Sequence, residues 1–144
     1  MINKYIIRNQ EHFSKNIISL IYEKNKCLEI VKTSLDNSSR NSLKNELIGY
    51  EWYRQRGGLV YPKIIKDNNS FFTLALPFTQ GTTKNPVYGY SVNKKYIKFI
   101  VEKYKKIWQS EVNNLNAALH GDFSIGNIIF NEEEIYFIDW EHFS

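Results

Sequence analysis

The sequence predicts an α+β protein, in which a small β-rich region with one helix precedes a second helix, a loop and a β-hairpin. Three observations support this fold class. Short β-rich runs lie between polar turns near both ends of the chain, two segments space apolar residues as amphipathic helices do, and a turn-rich stretch separates the two parts. The predicted divisions are a first lobe at 1–78, a connector at 79–90 and the beginning of a second lobe at 91–144.

Four strands are predicted in the first lobe, as two pairs. β-branched and aromatic residues are frequent in them, and the polar turns EKNK and DNNS join the members of each pair. These strands are expected at 17–22, 27–33, 62–65 and 71–76. A shorter pair, IIF and IYFID, follows the loop HGDFSIGN in the second lobe and predicts a terminal β-hairpin.

Two helices are predicted, one in each lobe. The first is expected to begin at a cap on Ser39 or Ser42 and to end near Arg56, because Gly57 and Gly58 follow. Its expected inward positions are Leu43, Leu47, Tyr50 and Trp52. The second helix is expected to begin at a Ser91 cap, and a four-residue spacing of large apolar residues predicts its buried face. Those residues are Val92, Tyr96, Ile100, Tyr104, Trp108 and Val112.

Composition and charge restrict the possible functions. Lys and Arg number 19 against 15 Asp and Glu, and the +4 charge is spread without an arginine-rich stripe, which favours a small anionic ligand over nucleic acid. The single cysteine, Cys27, excludes a disulfide framework within one chain, and we expect a cytoplasmic protein. The polar N-terminal residues do not resemble a signal peptide, and no apolar run is long enough to predict a membrane span.

Three polar side chains near the end of the sequence predict a reactive site. Asp122 and Asn127 lie in one loop before a strand, and Asp139 ends the next strand of the same hairpin, which can bring all three to one edge. Asn127 and Asp139 offer the oxygen ligands that Mg²⁺ prefers, and Asp122 could accept a proton from an attacking hydroxyl. Phosphoryl transfer needs such a metal and such a base. The alternative is structural, since Asp and Asn also favour turns.

The segment HGD-x-x-x-x-N followed by IDWE resembles the aminoglycoside phosphotransferase and choline kinase group, small-molecule relatives of the protein kinases. This resemblance implies a protein-kinase-like fold that uses ATP and Mg²⁺. It also implies that Lys32 contacts the α- and β-phosphates and that a glutamate of the first helix pairs with it. Glu46 is the first candidate for that glutamate and Glu51 the second. An exposed strand lysine and an exposed helix glutamate are the structural alternatives.

The adenine site is predicted from the same resemblance and from strand periodicity. The segment LALPFTQG is similar to the family's hinge, in which the carbonyl of Pro77 and the amide of Thr79 would contact the adenine edge. Ile30 shares a strand face with Lys32, because side chains alternate along a strand, and should therefore lie over the adenine. Ile129 and Ile138 are expected to cover the other face of the ring.

The sequence departs from the family pattern in two places. The loop HFSKN lacks the glycine that often approaches the phosphates, so Ser14 and nearby backbone amides would serve instead. The helices that bind the phosphate acceptor in the family follow IDWE and are not in this sequence, so the chain reads as truncated after this motif. We therefore expect a small-molecule kinase acting on an aminoglycoside, sugar or amino alcohol. The alternative is a weak or inactive nucleotide-binding module that needs another segment, a second copy or a complementing chain.

Overall fold

The computed structural model describes residues 2–8, 16–58, 60–81, 94–111, 116–131 and 134–144, and it has the predicted α+β architecture. Two helices are present in these ranges, α1 (Asn37–Gln55) and α2 (Lys94–Trp108), together with short 3₁₀ turns at Gln109–Glu111 and Ile125–Asn127. The first-lobe strands are β1 (Ile2–Arg8), β2 (Asn16–Glu23), β3 (Lys26–Ser34), β4 (Lys63–Asp67) and β5 (Phe72–Pro77). The hairpin strands are β6 (Ile128–Phe130) and β7 (Ile135–Phe137).

The first five strands form one antiparallel sheet in the order β1-β2-β3-β5-β4. The two strand pairs expected from the sequence are confirmed, and β3 and β5 bring them together at the centre of the sheet. The strand β1 was not predicted, because its residues mix charged and apolar types without a clear period of two. It pairs with β2 along the edge of the sheet, from Ile2 opposite Glu23 to Arg8 opposite Ile18.

The helix α1 begins earlier than predicted. Its N-cap is Asp36, whose carboxylate accepts a hydrogen bond from the amide of Ser39 at 2.7 Å, while the Ser39 hydroxyl accepts one from the Asp36 amide at 3.0 Å. Ser39 is therefore the third helical residue of a capping box, and neither Ser39 nor Ser42 is the cap. The predicted end is confirmed, since Gly57 follows the helix with a φ of 84°.

One apolar core joins the two parts of the chain. The inward face of α1 supplies Tyr50 and Tyr53, α2 supplies Trp108, and the hairpin region supplies Phe137 and Trp140. The Trp140 ring is fully buried and stacks on those of Tyr53 and Trp108, with centroids 5.1 and 5.9 Å apart. This aromatic core sits directly behind the hairpin and fixes its position against α1.

The second helix is confirmed over its described length. The described residues of its predicted buried face pack on the core, since Trp108 is buried and Tyr96, Ile100 and Tyr104 are partly buried. Ile97 and Val101 lie outside that face and are exposed. The predicted cap Ser91 and most of the predicted connector lie outside the described residues. Among the helices of the described ranges, none is both long and apolar enough to cross a membrane.

Candidate active site

Residues from the sheet, α1 and the hairpin together line a cavity of about 620 Å³. This volume is typical of small-molecule sites. The cavity brings together most of the predicted site residues, which are Ile30, Lys32, Glu46, Pro77, Thr79, Asn127, Ile129, Ile138 and Asp139. Asp122 is exposed beside the cavity, where its carboxylate accepts a hydrogen bond from the side chain of Asn127. Ser14 lies outside the described residues.

Lys32 joins the two sides of the cavity through its ammonium group. The strand β3 places Nζ 2.8 and 2.9 Å from the carboxylate oxygens of Glu46 on α1, and 2.6 Å from Oδ1 of Asp139 beyond the hairpin. Glu46 is fully buried, so it would be an uncompensated charge without this lysine. The second glutamate candidate, Glu51, instead pairs with Arg54 on the outer side of the helix. The geometry therefore selects Glu46 as the partner of Lys32.

Burial and charge act in opposite directions on these three groups. Burial alone would lower the pKa of Lys32, but Glu46 and Asp139 outweigh it and hold that pKa above its ordinary value. Burial raises the pKa of Glu46 to about 7, although Lys32 opposes the shift. For Asp139, burial is outweighed by the ion pair with Lys32, so its pKa is lowered. Lys32 and Asp139 are consequently charged at neutral pH.

The sequence analysis predicted that Asp139 ends the second hairpin strand. In the structure it lies two residues beyond the end of β7. Its backbone is left-handed, with a φ of 64°, which a residue other than glycine rarely adopts. The Asp139 amide donates a hydrogen bond to the hydroxyl of Tyr50 at 3.2 Å, and the Phe137 amide donates one to Tyr53 at 3.4 Å. Helical spacing predicted that Tyr50 is buried, but it carried no signal for these two hydroxyl contacts.

The loop between α2 and the hairpin orients Asp122. The side-chain amide of Asn127 donates hydrogen bonds to Oδ2 of Asp122 at 3.0 Å and to its backbone carbonyl at 2.9 Å. His120 is buried and donates from Nε2 to the carbonyl of Ile138 at 2.9 Å, which ties the loop to the hairpin. Burial lowers the pKa of His120, so the ring is neutral at neutral pH. This contact gives His120 a structural role in the loop.

Gly121 allows the end of the described chain to pack against this loop. A Cβ atom at position 121 would lie 2.0 Å from the backbone oxygen of His142, and the backbone φ is 80°. The pair of backbone hydrogen bonds between Leu119 and Ser144, at 2.8 and 3.2 Å, holds the same two segments together. The glycine of the HGD motif is thus required by close packing as well as by backbone conformation.

The predicted hinge is anchored to β3. The amide of Phe78 donates to the carbonyl of Leu28 at 2.8 Å. Because the C=O and N–H of one trans peptide point in opposite directions, the carbonyl of Pro77 points away from β3. This orientation leaves it available at the edge of the cavity, together with Thr79.

Apolar side chains line the part of the cavity next to this hinge. The predicted Ile30, Ile129 and Ile138 are each partly buried there. Val60 and Leu76 also line the cavity, and the sequence analysis did not identify them. Leu76 shares its β5 face with Leu74, so strand alternation was a usable signal, whereas Val60 follows a glycine turn and lies in no strand.

The described residues contain no cluster of three His, Cys, Asp or Glu side chains that could hold a metal ion by itself. The donor set fits Mg²⁺ in another way, since this ion commonly uses one or two protein oxygens together with phosphate oxygens and water. Asn127 and Asp139 line the same cavity, and only Oδ1 of Asp139 bonds to Lys32. These residues could therefore hold Mg²⁺ that arrives with a phosphate ligand.

Comparison with known proteins identifies the fold. No family model matches the chain, and no curated protein matches it. Among solved structures, the chain is similar to the kinase PK-1 of Cydia pomonella granulovirus, with a TM-score of 0.67 and 14% sequence identity over 98% of this chain. The chain spans about half of that protein, 52% of its length. The architecture described above, a small antiparallel sheet with one helix followed by a loop and hairpin, is therefore a protein-kinase-like fold.

Proposed function

We propose that the chain is the nucleotide-binding and catalytic-loop region of an ATP-dependent phosphotransferase that acts on a hydroxyl group of a small molecule. The observation that carries this proposal is the position of Lys32, which contacts Glu46 and Asp139 inside one cavity. A buried lysine held by a helix carboxylate offers a fixed positive charge to phosphate oxygens. Loss of Glu46 would leave this ammonium group less firmly positioned.

The cavity walls support a purine nucleotide as the ligand. Ile30 and Ile129 offer apolar surface to a flat ring, and the carbonyl of Pro77 offers a hydrogen-bond acceptor at the hinge. Lys32 lies in the same cavity and would contact the α- and β-phosphates. This combination of an apolar slot with a few placed polar groups is usual for cofactor sites.

Asn127 and Asp139 are the residues proposed to hold Mg²⁺ with the nucleotide. The ion, when bound, would neutralise charge on the phosphates during transfer. Asp139 can keep its Oδ1 on Lys32 and offer Oδ2, because only Oδ1 takes part in that contact. Asn127 is already oriented by its bonds to Asp122 and can offer its carbonyl oxygen.

Asp122 is proposed to act as the general base. Its carboxylate is exposed and would accept the proton of the acceptor hydroxyl as the hydroxyl oxygen bonds to the γ-phosphorus and the bond to the β-phosphate oxygen breaks. The amide of Asn127 fixes Oδ2, which leaves Oδ1 for the incoming hydroxyl. The acceptor classes that we propose are aminoglycosides, sugars and amino alcohols.

A nucleotide-binding module without catalysis is the second candidate. The chain matches only 52% of the kinase that it resembles, so residues that bind an acceptor in a longer protein are not accounted for by the described site. Such a module would use a second copy or a complementing chain to form a complete enzyme. Binding of Mg²⁺-ATP without turnover, restored by a complementing segment, would favour this candidate.

Nucleotide binding is tested by thermal unfolding with and without Mg²⁺-ATP. At about 100 times its dissociation constant, a ligand that binds only the folded state should raise the free energy of unfolding by ~2.7 kcal/mol. Lys32→Met should reduce this increase, because the phosphates lose their cation. Lys26→Ala, at an exposed position of the same strand, is the matched control. Equal increases in both variants would contradict the role of Lys32.

Catalysis is tested with Asp122→Asn in an ATP-consumption assay with candidate alcohols. The variant should lower turnover by ~10²–10⁴, because a general base acts in the chemical step. Its affinity for Mg²⁺-ATP should change little, since residue 122 does not line the nucleotide cavity and Asp122→Asn keeps both the backbone carbonyl and a side-chain oxygen that can accept from Asn127. Turnover that is unaffected by the substitution would remove Asp122 from the mechanism.

A further inference from the structure

One face of α1 contacts both charged groups that meet at the inner end of the cavity. Glu46 and Tyr50 are four residues apart and therefore neighbours on the helix surface. Glu46 accepts a hydrogen bond from the ammonium group of Lys32, and the Tyr50 hydroxyl accepts a hydrogen bond from the Asp139 amide. Tyr50 is 1% exposed and itself lines the cavity.

The hydrogen bond to Tyr50 comes from Asp139, whose backbone is in the left-handed region. An aspartate in the left-handed region is less stable than one in a strand or helix, and such residues persist where their surroundings over-determine them. At Asp139 two contacts are present, since Lys32 holds the carboxylate and Tyr50 holds the amide. Only the second contact acts on the backbone directly.

We infer that Tyr50 is a positioning residue, whose hydroxyl fixes the left-handed backbone of Asp139 and thereby the direction of the carboxylate that engages Mg²⁺-nucleotide. This inference rests on the proposed function for the role of Asp139. The hydroxyl remains neutral at working pH, because burial raises the pKa of Tyr50 well above its ordinary value. Its oxygen accepts the hydrogen bond from the Asp139 amide at 3.2 Å.

The aromatic ring and the hydroxyl of Tyr50 can be separated experimentally. Tyr50→Phe keeps the ring against Trp140, where the centroids are 6.2 Å apart, and removes only the acceptor of the Asp139 amide. Tyr53→Phe is the matched control. Tyr53 is on the same helix, and its hydroxyl accepts a hydrogen bond from the Phe137 amide, away from Lys32 and Asp139. Both variants lose one buried hydroxyl contact to the hairpin region.

The primary experiment measures the dissociation constant of ATP by calorimetry, once in Mg²⁺ and once in EDTA. Tyr50→Phe should reduce the gain in affinity that Mg²⁺ provides by about three- to tenfold, the effect of losing one positioning hydrogen bond. Its affinity in EDTA should stay within about twofold of the wild-type value, and Tyr53→Phe should match the wild type in both conditions. A Tyr50→Phe chain with the wild-type gain, or with equal losses in Mg²⁺ and EDTA, would overturn the inference.

A double-mutant cycle tests whether Tyr50 acts through Asp139. If it does, Tyr50→Phe should have no further effect on the Mg²⁺-dependent gain in an Asp139→Ala background. A full additional loss in that background would show that Tyr50 acts by another route.

Amide hydrogen exchange, followed by NMR without nucleotide, separates this inference from the proposed function. The Asp139 amide should exchange faster in Tyr50→Phe than in Tyr53→Phe, whether or not ATP binds. If the Asp139 amide exchanges no faster in Tyr50→Phe, that result alone would contradict the positioning role of Tyr50. Failure of the wild-type chain to bind ATP, with faster Asp139 exchange in Tyr50→Phe, would reject the proposed function and retain the backbone contact.

Discussion

The two walls of the cavity are built in different ways. On one side, Lys32 lies in a central strand with ladder partners on both edges, and its carboxylate partner Glu46 is on a 19-residue helix. On the other side, Asn127 and Asp139 flank two strands of three residues each. Regular secondary structure positions the first wall, whereas the second wall depends on side-chain contacts with the aromatic core.

This difference separates residues that stabilise the fold from residues that are available for chemistry. Glu46 is fully buried, so removing only one partner of its ion pair with Lys32 should lower the free energy of unfolding. Asp122 is exposed, and its substitution should affect turnover with little effect on stability. The hairpin wall should also be the more sensitive to changes far from the charged groups, because its ladder is only three residues long and packing behind it supplies the remaining support.

The largest effect is expected at Trp140, which supports the hairpin wall from behind. Trp140→Ala removes a fully buried ring and the hydrogen bond from its Nε1 to the carbonyl of Phe137 at 3.0 Å. The free energy of unfolding should fall by ~3–5 kcal/mol, as for other buried aromatic residues. Urea unfolding followed by circular dichroism measures this change. A loss below ~1 kcal/mol would show that the hairpin does not depend on this core.

A smaller loss is expected when the sheet wall loses its cation. Lys32→Met leaves the buried carboxyl of Glu46 without a partner, which costs ~3 kcal/mol. The cost should lie at the low end for such a change, because the raised pKa of Glu46 allows it to take up a proton. Adding Glu46→Gln should restore most of the lost stability in the same unfolding assay. A double variant that is as unstable as Lys32→Met would contradict this account.

The smallest effect is the pH dependence of Glu46. Its pKa is about 7 in the folded state against an ordinary value of 4.5, so between these pH values the folded chain binds a proton that the unfolded chain does not. This contribution to stability is fully present below about pH 4.5 and is lost as the pH rises through about 7. The Tm of the wild type minus that of Glu46→Gln should therefore be more positive at pH 5 than at pH 8. A difference that is constant with pH would place Glu46 at its ordinary pKa.

The sequence predicted the sheet wall well because its signals are periodic. Alternation along the strand placed Ile30 and Lys32 on one face, and both line the cavity. The capping error on α1 was small, because Asp36 and Ser39 belong to the same motif and either residue type can cap a helix. The strand β1 was missed, since pairing with β2 at an edge leaves little trace in its composition.

The hairpin wall was predicted in its residue types but not in its geometry. The motif spacing identified Asn127 and Asp139, yet the left-handed backbone at Asp139 depends on contacts more than eighty residues away in the sequence. The hydroxyl of Tyr50 supplies one of these contacts, and periodicity can only indicate that such a ring is buried. Side-chain hydrogen bonds between distant elements have no local sequence pattern, so they had to be observed.

The close packing at Gly121 has a consequence for how this loop can vary. The backbone oxygen of His142 occupies the space that any larger residue at position 121 would need. In a library that randomises position 121 alone, nearly all of the folded members should carry glycine at that position. Because the φ of 80° also disfavours most side chains, only residues that tolerate the left-handed region, such as Asn and Asp, should survive at position 121, and only where segment 140–144 is randomised as well.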